Sequence, residues 1–171
     1  CCMTHPADLG YEMVGFNLPD LRLHEIEVKT GTIEAEDGQF GLFPQVSMSL
    51  MERRKARRES LGSRARKAAE IAMMEDTPCL LWCDLNSEQD ELEELLGDRA
   101  FSVRGATPSD LKVEYERRWR EGERNILISK PSVFGYGMNW QHCCREIFVG
   151  LSDSFEAYYQ AVRRCWRFGQ T

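Results

Sequence analysis

Cys79-Leu80-Leu81-Trp82-Cys83-Asp84-Leu85-Asn86-Ser87-Glu88-Gln89-Asp90-Glu91-Leu92-Glu93-Glu94-Leu95-Leu96 joins two patterns of different period. The run from Cys79 to Cys83 is uninterrupted and apolar, which predicts a strand covered on both faces, as in a parallel sheet. Asn86 or Ser87 then caps a helix. Glu88 and Asp90 fall in its first turn, where the helix dipole favours negative charge. Leu92, Leu95 and Leu96 give that helix an apolar stripe.

The alternation continues downstream. Ala100–Val103, Asn125–Ser129 and Glu146–Val149 read as further strands. Thr107-Pro108-Ser109-Asp110 opens a helix with Pro at its first position, and Leu111, Tyr115 and Trp119 form its stripe. Asp153, followed by Glu156, opens the last helix as a capping pair. This order predicts an α/β fold with a mainly parallel central sheet covered on both faces. Such sheets bind ligands at the carboxyl ends of their strands.

Upstream the signal is weaker. Residues 1–20 carry Pro6, Gly10, Gly15 and Pro19 and read as an irregular lead-in. Leu21–Val28 alternates and predicts a strand, and residues 31–46 read as loop with room for a short hairpin. Ser47–Glu75 favours helix, interrupted near Ser60-Leu61-Gly62.

Composition narrows the class. The 171 residues suit one domain, and 42% hydrophobic with 29% charged residues describes a soluble globular protein. No apolar run reaches the roughly 18 residues a membrane span needs, and no basic-then-apolar N-terminal segment predicts secretion. The chain opens Cys1-Cys2-Met3, which reads as a fragment boundary. The cysteines, seven in number, form no repeated C-x-x-C spacing. Reduced thiols in a cytoplasm are the expectation, and no metal site is assigned. His142-Cys143-Cys144 reads as buried thiols, because adjacent residues rarely converge on one ion. A net charge of −6 argues against wholesale wrapping of nucleic acid but leaves room for local basic sites. The cluster from Arg53 to Lys67 is read as either a solvated helix face or an auxiliary DNA-binding surface.

The segment Tyr158-Tyr159-Gln160-Ala161-Val162-Arg163-Arg164-Cys165-Trp166-Arg167-Phe168-Gly169-Gln170-Thr171 carries the most chemistry. On a helix at about 100° per residue, Phe155, Tyr158, Tyr159, Val162 and Trp166 share one face and predict burial on the sheet. Gln160, Arg164 and Arg167 cluster opposite, either as a solvated basic face or as paired guanidiniums that bind phosphate oxygens in a planar fork.

In wording, this segment resembles motif VI of superfamily-2 helicases, most closely the Swi/Snf-like branch, where a Gln and two Arg precede a Gly-Gln pair. The resemblance implies that Arg164 and Arg167 reach the γ-phosphate of ATP bound on another RecA-like domain, with Arg167 the better arginine-finger candidate. The role of Arg163 stays open, since it departs from the commoner small or acidic residue. Ser129-Lys130-Pro131-Ser132-Val133-Phe134-Gly135-Tyr136-Gly137-Met138-Asn139-Trp140-Gln141 resembles motif V, especially in phage-encoded members. By itself Gly135-x-Gly137 is equally a turn or a backbone loop able to approach phosphate. The resemblance implies that Ser129 and nearby backbone, with Lys130, touch DNA phosphate. It also implies that Gly137, Asn139, Gln141 and Gln160 couple this contact to the ATP cleft. Leu80–Cys83 with the following helix looks like motif IV, and Arg104-Gly105 like the next loop along the tracking strand, a candidate phosphate contact.

The likeness covers residues 78–171 well and earlier residues loosely. It implies a RecA-like three-layer sandwich over residues 21–171, preceded by a linker at 1–20. No G-x-x-x-x-G-K-[ST] phosphate loop and no magnesium-binding Asp-Glu pair accompany it in the sequence. ATP and Mg2+ are therefore expected on a preceding N-terminal RecA-like half, with double-stranded DNA as the other partner. A bacterial or phage-infected cytoplasm is the expected setting. The alternative is a non-catalytic nucleic-acid-binding or interaction module with a RecA-like fold.

Overall fold

The computed structural model of the protein describes residues 18–28, 50–134, 138–167 and 170. Its elements run α1 (Leu50–Glu59), α2 (Leu61–Met73), β1 (Cys79–Trp82), α3 (Asn86–Leu96), β2 (Ala100–Ser102), α4 (Ser109–Arg120), β3 (Ile126–Ser129), β4 (Arg145–Phe148) and α5 (Phe155–Cys165). The strands pair in the order β2-β3-β1-β4, and every pairing is parallel. Leu80 of β1 lies opposite Leu127 of β3 and Glu146 of β4.

Every residue of β1 and β3 is buried, as an apolar run without alternation requires. Side chains alternate between the two faces of the sheet. Cys79, Leu81, Ile126 and Ile128 meet the Ala65, Ala68, Ala69 and Ala72 stripe of α2 and Leu92 and Leu96 of α3. Leu80, Trp82, Phe101 and Leu127 meet Trp119 of α4, Trp140, and Ala161 and Cys165 of α5. Helices on both faces make the three layers of an α/β RecA-like sandwich.

Helix boundaries differ in instructive ways from the sequence expectation. Ser60 does break the long helix, its hydroxyl donating back to the Ala56 carbonyl at 2.7 Å. Leu85, not Asn86 or Ser87, sits at the cap of α3. The cap is made instead by Glu88, whose carboxylate accepts from the backbone N–H of Asp84 (2.8 Å) and Leu85 (3.0 Å). Leu95 is exposed, and Gln89 takes its place in the buried stripe beside Leu92 and Leu96. Pro108 is the cap of α4 rather than its first residue. At α5 the cap is Ser154, whose hydroxyl accepts from the Ala157 N–H at 3.2 Å. Asp153 is instead drawn to Arg57 at 2.9 Å. Residues 18–28 form no strand: Leu21, Leu23 and Ile26 are exposed, because an alternating segment needs a neighbouring strand to complete its hydrogen bonds.

Glu88 ties α2 and α3 to the chain leaving β4. Its fully buried carboxylate also accepts from Arg64 of α2 at 2.8 Å, and the same Arg64 guanidinium donates to the carbonyls of Val149 and Arg57. Gly150 lies so close that a Cβ there would sit 2.5 Å from one carboxylate oxygen of Glu88 and 2.7 Å from its carboxyl carbon. Gly150→Ala is therefore expected to cost about 1–3 kcal/mol, the range for overfilling a packed site. Urea denaturation should show this penalty shrinking in a Glu88→Ala background, where the obstructing carboxylate is gone. An undiminished penalty would mean that Gly150 is constrained by something other than Glu88.

Candidate functional site

Trp140 organises the candidate site. It is fully buried, packs edge-on to Trp119 at 5.4 Å and to Phe134 at 5.0 Å, and lies 6.1 Å from Trp82. Its indole N–H donates to Glu116 of α4 at 2.9 Å, and its backbone N–H donates to the Arg164 carbonyl at 3.0 Å. The segment after β3 is thereby pinned between α4 and α5. Asn139 and Gln141, the neighbours of the pinned ring, line a groove with Tyr159, Gln160, Arg163 and Arg167. Gly137, assigned to the same cleft from sequence, lies outside the described residues.

The groove collects amides, guanidiniums and one phenol, and among the described residues no carboxylate lines it. Arg167 lies beyond the end of α5, and its Nε donates to the Arg163 carbonyl at 2.8 Å. The Arg163 guanidinium stands over the Trp166 ring at 5.1 Å, a cation–π contact. The Trp166 indole N–H in turn donates to the Pro19 carbonyl at 2.8 Å, so the lead-in segment props the arginine pair. Gln170 closes the arrangement by donating to the Cys143 carbonyl at 3.0 Å.

The helical-wheel expectation for α5 needs correction. Phe155 is 77% exposed and Tyr159 47% exposed, while Ala161, Val162 and Cys165 form the core face. Tyr158 packs on Phe148 at 5.0 Å. Arg164, expected on the open face, is only 5% exposed and does not line the groove. The buried face of α5 is made by Ala161, Val162, Arg164 and Cys165, a set rotated from the one the wheel assumed. Arg164 is held near Glu146, whose carboxyl burial pushes up to about pH 7 against the hydrogen bonds from Trp82 and Cys165 and the positive charge of Arg164. Trp82 donates to that carboxylate at 2.7 Å.

The positions assigned to DNA contact lie at the carboxyl ends of the neighbouring strands β2 and β3, but their side chains are differently employed. Ser129 is fully buried, and its hydroxyl donates to the Val103 carbonyl at 3.0 Å, so it offers nothing to a phosphate in this conformation. Arg104 is held by Asp90 and Glu93, each at 2.6 Å. Gly105 is exposed, with open space where a Cβ would be. The Lys130 ammonium donates to the Asp84 carbonyl at 2.8 Å beside a small pocket at the strand ends. The basic helices are largely compensated too: Arg57 pairs with Asp84 and Asp153, Arg64 with Glu88, and Lys67 with Glu70.

The thiols of Cys79 and Cys83 are pushed up to about 12, chiefly by burial, which makes them inert packing residues. His142 packs edge-on to Trp119 at 4.6 Å, and burial lowers its pKa. Among the described residues no group of three His, Cys, Asp or Glu side chains converges to hold a metal ion. Among the described residues, also, no helix is long and apolar enough to cross a membrane. Sequence reasoning gave no role to Trp140 or Glu146 and buried Tyr159. The available signal for Trp140 was its place between two polar candidates.

The fold and the pinned segment beside α5 define the C-terminal RecA-like domain of helicases. Residues 64–169, more than half of the chain, match the helicase conserved C-terminal domain family, and the chain belongs to that family. Among solved structures, the C-terminal part of the Fun30 ATPase domain superposes with a TM-score of 0.57 at 19% identity, covering 64% of this chain and 38% of that one. S. cerevisiae Dbp5 bound to RNA and ADP BeF3 superposes with a TM-score of 0.55 at 16% identity, covering 64% of this chain and 30% of that one. At these identities the likeness establishes the fold, and the chain spans only about a third of either structure. A comparison with curated proteins finds no match.

Glu146 makes stability depend on pH. Its folded pKa lies above the unfolded value, so the folded state holds the proton more tightly. The stabilisation is full below about pH 4.5 and is lost as pH rises through about 7. Urea unfolding across this window should show wild-type stability falling, and Glu146→Gln should flatten that slope. Parallel slopes in the two proteins would show that the carboxyl is solvated in solution.

Proposed function

We propose that the chain is the second motor half of an ATP-dependent DNA helicase or translocase. It would supply an arginine finger to ATP bound on an N-terminal RecA-like half and backbone contacts to double-stranded DNA. The observation that carries this reading is the carboxylate-free groove in which Gln160, Asn139 and Gln141 meet the Arg163 and Arg167 guanidiniums. A surface of this composition suits a polyanion such as a triphosphate, because guanidinium stays charged and forks onto phosphate oxygens. It does not suit the magnesium ion, because two guanidiniums repel a dication and no carboxylate among the described lining residues is there to hold it. ATP-Mg would therefore be cradled by the other half, and this half would complete the site when the cleft closes.

Arg167 is the finger in this reading. Its Nε is fixed on the Arg163 carbonyl, so the fork is oriented before nucleotide arrives. Arg164 would reach the phosphates only by leaving its buried place near Glu146. One observation favours the second reading, a nucleic-acid-binding module without turnover: of the two expected fingers only Arg167 lines the groove. On the nucleic-acid side, Gly105 backbone and Lys130 are better phosphate partners than Ser129 or the doubly paired Arg104. The Dbp5 structure holds RNA and ADP BeF3, so RNA is the natural control substrate.

The purified chain alone is expected to show no ATPase activity, with or without DNA. In the protein carrying both halves, Arg167→Ala should leave the fold and ATP binding intact while lowering turnover about 10³-fold or more. Arg167→Lys should rescue little, since an ammonium lacks the planar fork. Steady-state hydrolysis with saturating DNA, with nucleotide binding measured separately, tests the finger: near wild-type turnover by a folded Arg167→Ala protein removes the motor role from this face of α5 and returns it to a solvated surface. For the DNA contact, Lys130→Ala should reduce the salt dependence of affinity by about one unit of slope, without changing base preference. An unchanged slope removes Lys130 from the interface.

A further inference from the structure

We propose that Tyr159, backed by Phe155, is a stacking platform for the base of a nucleoside triphosphate whose phosphates lie toward Arg163 and Arg167, resting on the groove being the nucleotide-facing surface. Two large aromatic side chains on one helix are left in solvent although the core face of α5 is filled without them. Phe155 is 77% exposed and Tyr159 47% exposed, and their rings lie nearly parallel, 26° apart, with centroids separated by 6.2 Å. The neighbouring Tyr158 already supplies the aromatic contact to the sheet, at Phe148. Tyr159 is therefore not required for packing in this domain. It is, however, part of the groove wall that includes Gln160, Arg163 and Arg167.

The order along the chain matches the order of parts in a nucleotide. At a rise of about 1.5 Å per residue, Tyr159 and Arg163 stand one helical turn, or about 6 Å, apart on the same side of α5. Arg167 lies further on in the same direction, its Nε bonded to the Arg163 carbonyl. A flat π-face followed by two guanidiniums is the sequence of surfaces that a base followed by its phosphates would meet. Stacking on an aromatic ring does not depend on a particular hydrogen-bond edge, because every base has a π-face. Gln160, adjacent to the ring, offers an amide for the sugar or base edge. Phe155 stiffens the platform by stacking on Tyr159, so less ordering is left for the moment of binding.

The test uses the protein carrying both motor halves, with ATP and inorganic triphosphate as probes. Tyr159→Leu keeps an apolar side chain of similar burial but removes the π-face. It is expected to raise the KM for ATP about tenfold, equivalent to about 1.4 kcal/mol. The kcat and the half-saturating DNA concentration should stay unchanged. Tyr159→Trp should restore the wild-type KM. Inorganic triphosphate, which has no base, should inhibit wild type and Tyr159→Leu equally. Since Tyr159 is half exposed, circular dichroism should find both variants folded, and the Trp variant controls for any local disturbance. An unchanged KM in Tyr159→Leu, with Arg167→Ala still abolishing turnover, overturns the platform and leaves the groove as nucleotide cleft. A rise in half-saturating DNA instead of KM for ATP also overturns it and assigns the ring to nucleic acid. Weaker inhibition by triphosphate in Tyr159→Leu overturns it by placing the ring at the phosphates. If neither Arg167→Ala nor Tyr159→Leu affects turnover, the nucleotide reading of the groove falls with it.

Discussion

The packing of Trp140 against Trp119, Trp82 and Phe134 fixes the route of the chain between β3 and β4, and the candidate site is built on that route. A fully buried indole needs a hydrogen-bond acceptor as well as contact, and Glu116 supplies it from α4. The Trp140 backbone also donates to the Arg164 carbonyl, which joins the segment directly to α5. Asn139 and Gln141 reach the groove because the residue between them is held in the core. Loss of this anchor would separate the amides from the arginines without touching either.

A second constraint holds the opposite layer. Glu88 is a buried carboxylate satisfied by two backbone N–H groups at the start of α3 and by Arg64. A buried ion pair of this kind is weak evidence for stability, since desolvation offsets much of the attraction. Its effect is positional: Gly150 passes so close to it that there is no room for a side chain at the exit from β4. The chain reaches Ser154, and hence the phase of the arginine-bearing helix, from that point.

These two constraints explain why the groove is preorganised while the strand-end loops are not committed to a ligand. Arg163 and Arg167 are held by a cation–π contact and a backbone carbonyl, neither of which compensates their charge as a carboxylate would. Arg104 and Arg57, by contrast, each carry two acidic partners. Similar guanidiniums thus have different availability, and the difference lies in their neighbours. An exposed ion pair costs little to exchange for a phosphate, so Arg104 could change partners, whereas Ser129 could not without opening the sheet.

The sequence by itself determined the layered α/β order, because uninterrupted apolar runs such as Cys79–Cys83 and Ile126–Ile128 can only be covered on both faces. It also carried the wording of the Gln160–Gln170 segment, where residue types at fixed spacing name the chemistry. Only the tertiary structure decided which of those side chains are available. Periodicity placed Arg164 and Arg167 together, but α5 ends at Cys165 and Arg164 is buried near Glu146. Periodicity also buried Phe155 and Tyr159, which the structure leaves exposed, the core side of α5 being filled by Ala161, Val162 and Cys165. Alternation made residues 21–28 a strand, yet a strand exists only where a partner completes its hydrogen bonds. The reason is common to all three cases: a helical wheel or an alternating pattern records which residues could share a face, whereas burial depends on what the rest of the chain sets against it.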